Sequence, residues 1–332
     1  MKHLLHCIRH DAGLMALTLL VGAVVVIEAV LAFWGPESTL ANEYRQVLAR
    51  GPVEPAPDLL VMGDSVARGS ILTSVLHEHL GKGVTIRNDA MQGTGPETAY
   101  FALKRMIAAG RIPGAILYAP SPHTFASTRM HIVAGGLCTW PEMADLLGSG
   151  HDRFDILGST LLRFSYTLRY REQIAELLRG RREVLALFRP AVLNEDERVA
   201  SAEKQAAARK PTAATPAPLK PLFRIPFTVA PVNRYYLDRF LNLAARHNIP
   251  IYWVTTPCTQ RGYDSREQLG FNADYYHFLD QLATRPQVTV LQREFPVYAD
   301  TDTSDQTHFD LPSSRRFSAE LGRRLQAAWP VR

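Results

Sequence analysis

Five short apolar runs alternate with helix-length segments along this chain, and that alternation limits the fold more than any other feature. The runs are LLVM (59–62), VTIRND (84–89), GAILYAP (114–120), IPIYWVTT (249–256) and VTVLQ (288–292). Buried parallel strands read as short, nearly continuous apolar stretches, because helices cover both faces of the sheet. Helices are expected at 66–80, stopped by Gly81, from Pro96 to about Gly110, and at 231–247, 273–284 and 313–328. Proline suits a first helical turn, and glycine suits the position just past a helix end. The pattern predicts an α/β fold, a parallel sheet in a three-layer α/β/α arrangement. Hydrophobic residues make up 46% and charged residues 21% of the 332, which is sufficient for a sizeable core.

In such a sheet, ligands gather beyond the carboxyl ends of the strands. The chemistry-bearing residues of this sequence fall there. Gly63-Asp64-Ser65 follows the first strand, Gly93 the second, and Ser121 and His123 the third. Thr256-Pro257-Cys258 follows the fourth strand, and Asp305 and His308 lie beyond the fifth. A serine hydroxyl is a poor nucleophile at neutral pH. It needs a base, and the base needs a partner to fix its tautomer. Ser65, Asp305 and His308 supply these roles, with Asp302 and Asp310 as alternative partners for the histidine. The backbone N–H groups of Ser65 and Val66 at a helix start, with a second donor at Gly93, suit a developing oxyanion. Ser121 is a third candidate donor. Asp64, Asn88, His123 and Arg261 are candidate substrate contacts, and Tyr118, Trp140 and Trp253 are further candidates to line an acceptor cleft. No Cys-x-x-Cys pair or His/Cys cluster points to a metal, and no cofactor is expected.

Residues 12–34 (AGLMALTLLVGAVVVIEAVLAFW) are almost wholly apolar. About 20 such residues span a bilayer as a helix, whereas the core of a cleaved signal peptide is about 7–15 residues long. An uncleaved anchor is therefore expected, although a small-residue site near Ala41 leaves cleavage open. Lys2 and Arg9 precede the span while Glu37 and Glu43 follow it, which puts residues 1–11 in the cytoplasm and the rest outside. Glu28 lies inside the span, either protonated, lifted to the headgroup layer, or in contact with a partner membrane protein. Trp34 fits an interfacial anchor. Cys138 and Cys258 would then face an oxidising compartment, where a disulfide is allowed but not implied by spacing.

Residues 35–58 read as a linker and 59–332 as the main domain, with an insertion at about 125–222. Within it, 195–222 is Pro/Ala-rich and is expected to be disordered. The stretch LRYREQIAELLRGRRE (168–183) is basic and helical in pattern. A solvated helix face is the plain reading, and contact with lipid headgroups or an acidic polymer the alternative. The net charge of +5 comes from 37 scattered Lys and Arg against 32 Asp and Glu, without a nucleic-acid-binding motif.

Three segments carry a family resemblance: Gly63-Asp64-Ser65, NDAMQG (88–93) and Asp305-Gln306-Thr307-His308. With them the chain resembles the SGNH (GDSL-like) hydrolase and acyltransferase superfamily, whose fold is also described as flavodoxin-like. The resemblance implies Ser65 as nucleophile, Gly93 as oxyanion donor and an Asp305/His308 pair. The family's third block usually carries an Asn, whereas here the strand ends Ala119-Pro120-Ser121-Pro122-His123. The layout is similar to a membrane-anchored branch, the alginate O-acetylation and teichoic-acid D-alanyl transfer proteins. That likeness implies a periplasmic acyltransferase or esterase acting on an extracytoplasmic glycan, with a multispanning membrane acyltransferase as partner. A non-catalytic glycan-binding or scaffold component is the alternative.

Overall fold

The computed structural model describes residues 2–35, 39–126, 138–149, 158, 165–188, 199, 218–303 and 306–329. Its centre is a parallel sheet of five strands: β1 (Leu59–Gly63), β2 (Ile86–Asn88), β3 (Ala115–Ala119), β4 (Ile251–Val254) and β6 (Val288–Gln292). Their order is β2-β1-β3-β4-β6. The register pairs Leu59 with Ile86 and Ala115, and Ile116 with Ile251. Strand order reverses at β1, so the crevice above β1 and β3 is the switch point of the sheet. A separate two-residue pair, β5 (Cys258–Thr259) with β7 (Val297–Tyr298), lies between the fourth strand and the C-terminal loop.

Side-chain alternation along the strands sorts the core into two clusters. Leu60, Met62, Ile116, Tyr118, Ile251 and Trp253 pack with helices α5 (Pro96–Ala108), α9 (Pro231–Arg246) and α11 (Phe271–Ala283). Leu59, Val61, Leu117, Tyr252 and Val254 pack with α3 (Ser65–Ser70), α4 (Thr73–Leu80) and α12 (Leu311–Ala328). The central strands β1, β3 and β4 are thus apolar at consecutive positions because both of their faces are covered. The predicted strands match this order, with boundaries shifted by up to two residues. The one helix expected at 66–80 is instead two, α3 and α4, broken at the extended residues Ile71 and Leu72, and α10 (Gln260–Gln268) lies where no helix is expected.

Among the described residues one helix, α1 (Lys2–Trp34), is long and apolar enough to cross a membrane over Gly13–Phe33, with a mean hydropathy of 2.6. The stretch expected to be a linker is different. Residues Thr39–Val53 form a second helix, α2, whose Tyr44, Val47 and Leu48 are buried. Their i, i+3, i+4 spacing is a helical face, which the Pro-rich sequence immediately after it obscured. In the insertion, α6 (Trp140–Gly148), α7 (Tyr166–Arg169) and α8 (Arg171–Leu178) are described. Of the stretch expected to be disordered, residues 218–222 are instead docked on the domain, Phe223 beyond them being buried. The remainder of 195–222, apart from residue 199, lies outside the described residues. Cys138 and Cys258 are both buried thiols without a disulfide between them, and burial pushes the Cys258 thiol up to about 12.

Candidate active site

The chain's two distant signatures meet. His308 Nε2 lies 2.9 Å from Ser65 Oγ, across 243 residues of sequence. Both residues are half-buried, so the pair is reachable from solvent. Their contact is set by packing of the helices that follow them. Ser318 on α12 donates to the Ser70 carbonyl at 2.8 Å and accepts from the Leu72 N–H at 2.9 Å, which fixes α12 against the end of α3. Gly322 lets α12 approach α4, since a Cβ there would stand 2.4 Å from the His79 ring.

The turn that presents Ser65 is over-determined. Gly63 has φ of +155°, and a Cβ would sit 2.4 Å from the Ala119 carbonyl, so only glycine is accommodated. Asp64 caps α3: its Oδ1 accepts from the Val66 N–H at 2.9 Å, and its Oδ2 from the Ser121 N–H at 3.2 Å. Asp64 is 3% exposed, so this candidate substrate contact serves to lock the ends of β1 and β3 together. These bonds take the Val66 and Ser121 N–H groups, so both backbone donors are committed elsewhere than to an oxyanion.

The second-block loop folds over this turn. The Gly63 carbonyl accepts from Met91 N–H at 3.0 Å and Thr94 Oγ1 at 2.9 Å. Gly93, with φ of +61°, occupies the bend. Asn88 donates to the Ile71 carbonyl and accepts from the Ala90 N–H, each at 3.0 Å, so it shapes the loop instead of facing a substrate. A narrow pocket lies beneath the loop, between Gly63, Thr94, Gly95, Tyr118 and Pro120, with room for about one water.

Helix α2 supports the loop from behind, through residues the sequence reading missed. Glu43, fully buried, accepts from the Gln92 N–H at 2.9 Å and pairs with Arg68 at 2.7 Å. One carboxylate thereby ties the second-block loop to the helix of Ser65. Tyr44 donates its hydroxyl to the Gly93 carbonyl at 3.1 Å. Arg50 donates to the Asn88 carbonyl at 3.0 Å and pairs with buried Asp89, which also accepts from Arg87 at 3.1 Å. The spacing of Glu43, Tyr44, Val47 and Arg50 was the available signal.

The histidine loop is held by a different element. Lys220 donates its backbone N–H to Gln306 Oε1 at 3.0 Å, and its ammonium to Thr307 Oγ1 at 2.7 Å. Gln306, with φ of +72°, donates back to the Pro218 carbonyl at 3.0 Å. This strap is anchored by Phe223, which lies on the guanidinium of buried Arg266 (5.0 Å to the ring centre) and accepts at its carbonyl from Ser265. Asp302 pairs with Arg316 at 2.7 Å, and Asp310 caps α12 by accepting from the Ser313 N–H at 2.9 Å. Both alternative partners for His308 are engaged in these contacts. Asp305 lies outside the described residues.

His123 belongs to the same neighbourhood. Burial holds its imidazole down to about 4, the positive fields of Arg266, His308 and Lys220 adding to the effect and Asp64 opposing it. It is therefore a neutral ring at pH 7. Arg261 pairs with Asp300 through its guanidinium at 3.5 Å and its N–H at 3.2 Å. Trp253 is fully buried among Tyr118, Phe125 and Phe278, so it is a core residue and lines no cleft. Tyr118 is 2% exposed and reaches only the narrow pocket, while Trp140 is 60% exposed at the start of α6. Among the described residues, no group of three or more His, Cys, Asp or Glu forms a metal site.

No family model matches the sequence, and no curated protein matches it. A solved structure described as "The structure of a putative platelet activating factor from Streptococcus pneumonia" aligns over 95% of this chain and 98% of its own. Its identity is 13% and its TM-score 0.33, a likeness too slight to support any inference about this chain.

Proposed function

We propose that this chain is a membrane-anchored, extracytoplasmic serine acyltransferase or esterase of the SGNH type, working through an acyl-Ser65 intermediate. The observation that carries the reading is the 2.9 Å approach of His308 Nε2 to Ser65 Oγ at the carboxyl end of β1. With the imidazole neutral, Nε2 accepts the Ser65 proton as Oγ attacks an acyl carbonyl. The carbonyl oxygen takes the negative charge and is met by the backbone N–H groups of Ser65 and Gly93. His308 then gives its proton to the leaving group. In the second half, a sugar hydroxyl or water attacks the acyl carbon while His308 takes its proton, and Ser65 leaves with that proton restored. Asp305 is assigned to orient His308. The helices packed on the two core clusters fit the three-layer arrangement of that superfamily.

The acceptor in this reading is a hydroxyl of an exported polysaccharide, and the acyl group arrives from a multispanning membrane acyltransferase. Helix α1 anchors the domain in the inner membrane, with residues 1–11 in the cytoplasm and the domain in the periplasm. Half-exposure of Ser65 and His308 suits an acceptor too large to be enclosed. One observation favours a second reading, a non-catalytic glycan-binding or scaffold component. The end of β3 lacks the Asn of the third block, and its Ser121 N–H is bonded to Asp64. A fluorophosphonate probe separates the two: labelling of the native protein that vanishes in Ser65→Ala supports the enzyme. A native protein that never labels, and never cleaves short acyl esters, supports the scaffold.

A further inference from the structure

Glu28 lies five residues before Phe33, the last residue of the apolar stretch of α1. At about 1.5 Å per residue, its Cα stands roughly 7 Å inside the outer end of that stretch. A carboxylate at such a depth is costly unless it is hydrogen-bonded. Its partners come from the insertion, almost 140 residues away. Ser165 Oγ donates to it at 2.7 Å, the Tyr166 N–H at 2.6 Å and the Thr167 N–H at 3.2 Å, with the Thr167 hydroxyl as a further donor. Tyr166 also covers Gly35, where a Cβ would stand 2.6 Å from the ring. Tyr166 and Tyr170 are buried, with ring centres 4.6 Å apart. The start of α7 is thus fastened to the outer end of the span.

The segment leading away from this fastening is amphipathic, and among the described residues its apolar side chains are only partly covered. Helix α8 has no buried residue, although it carries Ile174, Leu177 and Leu178. Leu178 is 84% exposed, Leu168 50% and Leu185 51%. The same stretch carries Arg169, Arg171, Arg179, Arg181 and Arg182 against Glu172, Glu176 and Glu183, a net charge of +2. Apolar side chains beside arginines, starting at the depth of a membrane interface, are the composition of a helix that lies in that interface. Arginine stems reach along apolar surface while their heads stay with phosphate.

We infer that residues 165–185 rest on the outer face of the membrane that α1 spans. In this pose Leu168, Leu178 and Leu185 enter the boundary between headgroups and acyl chains, and the arginines engage anionic phospholipid headgroups. The contact fixes the height and tilt of the domain, and with them the distance of Ser65 from the bilayer. It rests on the proposed membrane span of α1 and is independent of the chemistry at Ser65.

The test uses the full chain with Cys7→Ser, its other two cysteines being buried. The protein is reconstituted in nanodiscs of phosphatidylcholine alone or with phosphatidylglycerol. An environment-sensitive fluorophore is placed on Leu178→Cys or, in a separate protein, on Leu20→Cys inside the span. Lipids carrying a nitroxide near the headgroup are expected to quench the Leu178→Cys label at least twofold, and to quench it more in the anionic discs. Iodide in the water is expected to reach it poorly. Combined Arg171→Glu, Arg179→Glu and Arg181→Glu is expected to abolish the extra quenching in anionic discs, and Glu28→Ala to weaken quenching in both. A Leu178→Cys label that iodide reaches freely, while Leu20→Cys is quenched by deep lipid nitroxide, overturns the inference and leaves the span standing. Loss of quenching at both positions overturns the span and the inference with it. Equal quenching in neutral and anionic discs, unmoved by the charge reversals, overturns the assignment of anionic headgroups.

Discussion

The two halves of the candidate site are built to different standards. Ser65 stands on a turn fixed by a glycine that tolerates no side chain, a capping aspartate shared between β1 and β3, and a buried carboxylate from α2. His308 stands on a loop held largely by half-exposed contacts to the strap at 218–223. Buried, charge-assisted bonds are costly to break, whereas exposed ones contribute little to stability. Damage behind Ser65 should therefore unfold the site, while damage behind His308 should only loosen it. A nucleophile must sit in its oxyanion cradle to within a fraction of an ångström. A base loop with more freedom can accommodate a bulky acceptor.

The largest expected effects come from the reacting pair itself. Ser65→Ala and His308→Ala should each lower acyl turnover by at least about 10³-fold. Both side chains are half-buried, so melting temperatures should move by no more than about 2 °C. Ester hydrolysis and probe labelling measure the first, and differential scanning fluorimetry the second. Parallel collapse of folding in both variants would mean that the pair is structural, and the contrast between the halves would lose its meaning.

Next comes the buttress. Glu43→Ala removes the carboxylate that joins Gln92 to Arg68, leaving a buried cavity and a cation deprived of that ion pair. A loss of about 3–5 kcal/mol is expected by urea denaturation, along with most of the activity. Glu43→Gln keeps the acceptor for the Gln92 N–H and should fall between. Truncation before residue 55 should be worse than either, whereas a chain starting at about residue 37 should fold and label. A domain that begins at residue 55 and remains active would break the claim that α2 belongs to the site.

That buttress also marks the limit of what the sequence made legible. The strands and the Gly63-Asp64-Ser65 turn are specified by residues adjacent in the chain, so short-range patterning was enough to place them. His308 was found because its spacing from Asp305 and its position before a helix are local too. Helix α2 was hidden by the prolines that follow it, since a Pro-rich flank suggests extended chain even where Tyr44, Val47 and Leu48 form one apolar face. The strap was hidden for a different reason. Leu219, Lys220 and Pro221 carry no local signal of order, and the partners of this strap are distant in sequence, Gln306 and Thr307 for Lys220 and Ser265 and Arg266 for Phe223. Polar residues at strand ends often meet substrate, which is the expectation that Asp64 and Asn88 raise. The structure spends both on holding backbone in shape.

The well-braced half contains one weak point. Glu97 is fully buried in the first turn of α5, its carboxyl bent back toward Gly95, and burial raises it from 4.5 to about 7. Between those values the native state keeps a proton that the unfolded chain has released. Stability therefore falls as pH rises through this window, and the loss is complete above about pH 7. The penalty is on the order of 3 kcal/mol. Glu97→Gln should leave stability at pH 4 nearly unchanged and raise it at pH 8, flattening the profile. His123 works in the opposite sense. Its ring stays neutral in the native state down to about pH 4, so it removes stability as pH falls below 6.5. A Glu97→Gln protein with an unchanged stability profile between pH 4 and pH 8 would place the titration elsewhere.

The smallest effect sharpens the comparison most. Gln306→Ala removes the bonds to Lys220 and Pro218 but leaves the backbone of the histidine loop in place. These bonds are partly exposed, so the cost in stability should be under about 1 kcal/mol. Turnover should fall by about tenfold, because His308 spends less time at hydrogen-bonding range of Ser65. The loss should sit in kcat and not in KM for a small ester that never touches the strap. Adding Lys220→Ala should deepen it only slightly, since the two side chains hold one loop and act as a unit. If Gln306→Ala instead destabilises the protein as severely as Glu43→Ala, the two halves are equally braced. The looseness assigned to the base side would then have no physical basis.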